Sequence, residues 1–254
     1  MAAATVIAAF VVFALVRYRP DVSAEASILL IVIAVIYIAA GAWASRSVDG
    51  PKGQILAAGA CAGVALAAIE LANLLSEEFG TLSGPARAIV PASTMGLMIV
   101  AFATAATSAF YVVRSAAFAL INAIWAAVVA MSLTCSIAIC ILLPAAPRFP
   151  VANLMANAST HMLLAPIIAA GTGAIAYGAA LALARLGSRL AAGMLLVLDG
   201  TLLFGGVALL VYAASLARSS RPPFVMSGML AAGLSLALAP PLIGNLFKHS
   251  ESTA

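Results

Sequence analysis

The run FPVANLMANASTHMLLAPIIAAGTGAIAYGAALALA, residues 149–184, decides how this chain must be read. Its 36 residues include no Asp, Glu, Lys or Arg. As a helix it would be about 54 Å long at ~1.5 Å per residue, whereas the hydrocarbon core of a bilayer is ~30 Å thick. The stretch is therefore one membrane crossing plus something more. The excess lies at its start, where Asn153, Asn157 and His161 recur at i, i+4 and i+8 with Thr160 beside them. On a helix these form one polar stripe. Two arrangements fit. Either Pro166 separates an interfacial or re-entrant segment from the crossing, or the helix extends well outside the membrane.

The rest of the chain agrees with a lipid solvent. Apolar residues make up 65% of the 254 and charged residues 8%, against about a quarter charged in soluble domains. Mean hydropathy is +1.18. The net charge of +4 comes from twelve Lys and Arg placed mostly between apolar runs. That is the flanking bias of a membrane protein and not a nucleic-acid surface.

Divided into crossings, the chain reads as an all-α bundle of about eight transmembrane helices in a single domain. They cover roughly Ala2–Val16, Ser27–Ala44, Gln54–Leu75, Ala88–Val113, Phe118–Leu143, the opening run to Leu183, Leu190–Ala217 and Phe224–Phe247. Seven is the count if the first, read here as retained and not cleaved, is absent. Arg114 interrupts an apolar stretch too long for one crossing, which predicts a very tight turn at Val113–Ser115. Gly59, Gly63 and Ala67 form one ridge of small residues, and Ala170, Ala174 and Gly178 a second; such ridges let helices approach closely. Basic residues divide six against six between the two sides, so overall bias fixes no orientation, although Arg17 and Arg19 lean towards an outside N-terminus. A weak similarity between halves 1–114 and 115–254, each with an acid in its third helix, suggests parallel repeats.

Those acids are Glu70 and Asp199. An acid at the bilayer centre costs ~2.5–3.5 kcal/mol on insertion scales. Asp199, near the middle of its span, must be neutralised, paired or facing a wet cavity. Glu70 lies closer to a polar end. Their depths differ by about 10 Å at ~1.5 Å per residue, so two stations along a path are expected and not a carboxylate pair. With His161, Asn157 and Asn153 they make the candidate ion- or substrate-binding set. The imidazole of His161 is able to relay protons; otherwise the stripe meets headgroups.

Signatures of catalysis and cofactors are sparse. There is no HExxH, P-loop or dinucleotide fingerprint. Met226-Ser227-Gly228 lacks the glycine that precedes the serine in membrane serine proteases, and His161 is its one candidate base. A bis-histidine haem has no second intramembrane histidine, since His249 is in the tail. Cys61, Cys135 and Cys140 read as small buried hydrophobes. No metal, cofactor or nucleic-acid partner is expected. The leading expectation is a small-solute or ion/proton-coupled permease in a bacterial inner or plasma membrane, with helices broken at Pro166 and Pro240-Pro241. The alternatives are a non-catalytic subunit in a homo-oligomer or larger complex, and an intramembrane enzyme pairing Ser227 with His161.

Overall fold

The computed structural model describes residues 24–45, 50–78, 86–137, 151–216 and 223–251. Among them the chain forms seven helices: α1 (Ala24–Ser45), α2 (Gly50–Glu78), α3 (Ala86–Val113), α4 (Ala116–Ile137), α5 (Val151–Leu186), α6 (Ser188–Leu216) and α7 (Pro223–Glu251). Six, α2 to α7, carry apolar stretches long enough to cross a membrane. The chain is thus an all-α, multi-pass membrane protein with seven helices among the described residues; the expected first span, residues 2–16, lies outside them, as does Cys140. Helices are the form apolar sequence must take here. In hydrocarbon every backbone polar group needs an internal partner, and a helix supplies one within its own segment.

Two of the connections are very short. Between α3 and α4 only Arg114 and Ser115 are non-helical, the tight turn the sequence predicts. Arg114 takes a left-handed φ of 49°. Its N–H still donates to the Phe110 carbonyl at 3.0 Å, while the Ser115 carbonyl accepts the Ala119 N–H at 3.0 Å. Between α5 and α6 only Gly187 interrupts the helices, its N–H donating to the Leu183 carbonyl at 2.9 Å.

The bundle is arranged around α3, which packs on α2, α4, α5 and α6. α7 completes the opposite side by packing on α2 and α6, and α1 touches the margin formed by α4 and α5. Small residues set the closest approaches. Gly59 and Gly63 face α4: a Cβ on Gly59 would collide with the Asn122 side chain, and one on Gly63 would fall 2.7 Å from the Ala126 carbonyl oxygen. The first small-residue ridge is therefore consumed inside the fold.

The second ridge is displaced. Ala174 and Gly178 face outward, with nothing within 4 Å of a Cβ on Gly178. The face of α5 that packs is Ala169, Gly173, Ala176 and Ala180, at i, i+4, i+7 and i+11. Gly173 there meets Ala123 of α4 and Ala106 of α3. Small residues occupy two adjacent faces of α5, and the face one residue earlier turns to the bundle.

Neither proline position breaks its helix. α5 runs from Val151 through Pro166 to Leu186, and α7 runs from Pro223 through Pro240 and Pro241 to Glu251. Pro166 has no N–H to give the carbonyl four residues back, that of Met162. The Tyr37 hydroxyl of α1 donates to that carbonyl instead, at 3.1 Å. A donor from a neighbouring helix re-satisfies the freed group, which is what permits proline within a membrane helix. The opening stretch is accordingly the start of one long helix and not a re-entrant segment.

Candidate functional site

Contacts between helices fix the depth of each candidate residue. Leu75 of α2 meets Gly228 of α7, and Leu210 of α6 meets Gly233 of α7. These pairs run antiparallel, so Val64 of α2, Ala239 of α7 and Phe204 of α6 lie at one level. The same level halves the apolar spans Lys52–Leu75 and Ala192–Ser215. Phe204 therefore marks the midplane of these two spans.

Asp199 lies five residues from Phe204, about 8 Å to one side of the midplane. It shares an α6 face with Leu202 and Gly206, at i+3 and i+7. Leu202 is fully buried, and a Cβ on Gly206 would fall 2.6 Å from the Ala237 backbone nitrogen, so this face is turned to α7. Asp199 is half-buried, and its Oδ1 is buried without a hydrogen-bond partner among the described residues.

Glu70, counted along the same register, is level with Leu210, about 9 Å on the other side of the midplane. The two acids are separated by about 16 Å along the bundle axis. Glu70 is buried on the α2 face that also carries Gly59 and Gly63 and packs on α4.

His161 is exposed at the start of the α5 apolar span, His161–Leu186. Its neighbour Met162 receives the Cys135 thiol of α4 at 3.8 Å. The parallel α2–α4 register set by Gly59 and Asn122 makes Cys135 level with Ala72. His161 is thus about 14 Å from the midplane, at the hydrocarbon edge. Asn157 and Asn153 follow one and two turns farther out on the same helix; their side chains fall outside the described ones. The fold does not gather Asp199, Glu70 and His161 into one cluster. Nor does it pair Ser227 with His161: α7 packs on α2 and α6, α5 packs on α3, α4 and α6, and the two helices are not packed on each other.

What the fold does build is a cleft of about 380 Å³ bounded by α2, α3, α6 and α7. Its walls are Ile69, Ala72, Leu97, Phe204, Gly205, Ala208, Leu209, Met229 and Leu236, with Ser93, Thr94, Thr201 and Tyr212 supplying hydroxyls. Thr94 Oγ1 donates to Asn73 Oδ1 at 3.3 Å, and Thr201 Oγ1 donates to the Val197 carbonyl of its own helix at 2.8 Å. The α6 wall is one stripe, Thr201, Phe204, Gly205, Ala208, Leu209 and Tyr212. Asp199 precedes Thr201 by two residues, roughly 200° around the helix at 3.6 residues per turn, so it points away from the cleft.

The sequence carried only a faint signal for this cleft. Small or hydroxylated side chains at 201, 205 and 208 leave one face of α6 low. Nothing local tells which neighbours surround that face. No protein-family model matches the chain, and no curated protein or solved structure matches it.

Proposed function

We propose that the chain is a small-solute or ion/proton-coupled permease, with Asp199 as the group that binds the cation or proton. The observation that carries this reading is the orphaned, buried Oδ1 of Asp199 within a membrane-spanning helix. An intramembrane carboxylate that is neither paired nor hydrogen-bonded at that oxygen is expensive to keep unless an ion or proton fills the position. Two features of the α6–α7 contact add support. Pro240 and Pro241 donate no N–H to the Leu236 and Ala237 carbonyls, whose oxygens are therefore available. Gly205 and Gly206 bring α6 against α7 at those same residues, a low-relief contact along which two helices can shift. Glu70, nearer the opposite face, is the second station, and His161 with Asn157 and Asn153 flanks the route at its outer end.

Closed β-barrels serve outer membranes, whereas a bundle of apolar helices suits an inner or plasma membrane. The bacterial inner or plasma membrane is accordingly the proposed location. The test is ion flux into proteoliposomes, read as pyranine fluorescence for protons and ²²Na⁺ uptake for sodium. Wild-type protein dissipates one of the two gradients, and Asp199→Asn, inserted to the same level, does not. Equal flux in the two proteins would remove Asp199 from the mechanism.

A second reading, a non-catalytic subunit of a homo-oligomer or larger complex, rests on α5 and α6. Only 22% and 17% of their apolar stretches are buried within the chain. Recovery of a stoichiometric companion in mild detergent favours it; an active isolated chain excludes it.

A further inference from the structure

We propose that the cleft between α2, α3, α6 and α7 binds one hydrocarbon chain of a membrane lipid, drawn from the leaflet on the side where α2 ends and α3 begins. Depth comes first. The α6 wall runs from Thr201, about 4 Å to one side of the midplane marked by Phe204, to Tyr212, about 12 Å to the other side and three residues short of the span's end at Ser215. The cleft thus covers one leaflet and stops near its centre.

Polarity follows the same profile. At the midplane end the walls are Leu97, Gly205 and Leu236, and the Thr201 hydroxyl is already satisfied within its own helix. At the outer end the cleft is lined by Ser93 and Tyr212, hydroxyl-bearing residues, with Tyr212 about 12 Å from the midplane and so close to the interface where a lipid's ester region begins. A lipid entering tail-first from that leaflet meets apolar walls where it is apolar and hydroxyls where it is polar.

Access is lateral. Phe204 is 76% exposed, and Ser93, Thr201 and Ala208 are exposed at the mouth between α3 and α6. Every wall residue belongs to a membrane-spanning stretch, so what adjoins this mouth is hydrocarbon. The cavity volume falls within the 300–1,000 Å³ range of small-ligand pockets, which distinguishes it from a convex lipid-facing surface. This site does not depend on the coupling role of Asp199, which points from the other face of α6 and lies across the midplane.

Photo-crosslinking tests it, using liposomes of phosphatidylcholine that carries a diazirine at the end of one acyl chain. Leu97 and Leu209, the half-buried walls, become labelled above Ile175, a 75% exposed position on α5 that reports ordinary lipid contact. Ala208→Phe narrows the mouth from its exposed side and lowers labelling of Leu97 about tenfold, equivalent to ~1.4 kcal/mol of lost binding. Thr201→Phe fills the deep end and gives the same loss, while Ile175 labelling stays constant in both. Labelling of Leu97 and Leu209 no stronger than that of Ile175, or unchanged by both substitutions, overturns the proposal.

Discussion

The Tyr37 hydroxyl donates to the Met162 carbonyl, the one backbone acceptor of α5 that Pro166 leaves without its helical donor. One side chain on α1 therefore compensates for a proline 129 residues away, and α5 continues as helix through it. Tyr37→Phe should lower stability in detergent by about 0.6–1.7 kcal/mol, the range of interhelical hydrogen bonds in membranes. Pro166→Ala restores the missing N–H, so Tyr37→Phe should cost less in that background. A double-mutant cycle of thermal midpoints measures the coupling; strict additivity would show that the two residues are independent.

The α2–α4 contact should be intolerant of volume. Gly59→Ala drives a methyl group into the Asn122 side chain, whose Nδ2 is held by the Ala105 carbonyl at 2.7 Å. Overpacking of this kind costs ~1–3 kcal/mol. Gly178→Ala, with open space around it, should not lower the melting temperature and should raise it slightly. Comparing the two variants separates the contact from the general effect of replacing glycine in a helix.

Arg114 occupies a left-handed conformation that costs a non-glycine residue ~1–2 kcal/mol. Arg114→Ile, β-branched at the same φ, should destabilise the α3–α4 hairpin, and Arg114→Gly should not. Limited proteolysis at this turn compares them: faster cleavage for the isoleucine variant is expected, and cleavage of both at the same rate would contradict the strain.

The course of the helices was legible because it follows from apolar length and from punctuation by charge. Arg114 between two long apolar stretches marked a very tight turn, and Gly59 with Gly63 marked a real contact. What the sequence hid was lateral. Small residues at 169–180 of α5 occupy neighbouring faces, and only the positions of α3 and α4 select the one through Gly173. Pro166 read as a break because its compensating donor lies on another helix. The cleft is built from ordinary Leu, Ala and Thr residues of four helices, none distinctive in its own segment. The intramembrane acids stood out at once, since charge in an apolar span is visible without any knowledge of neighbours.

The central claim is that Asp199 belongs to a path reached from water. It is tested by Asp199→Cys in a chain whose native thiols are removed by Cys61→Ala, Cys135→Ala and Cys140→Ala, with Ile175→Cys in the same background as the lipid-facing control. A membrane-impermeant methanethiosulfonate reagent should modify the thiol at position 199 and leave that at position 175 intact. Position 199 proving as inert as position 175 would contradict the account.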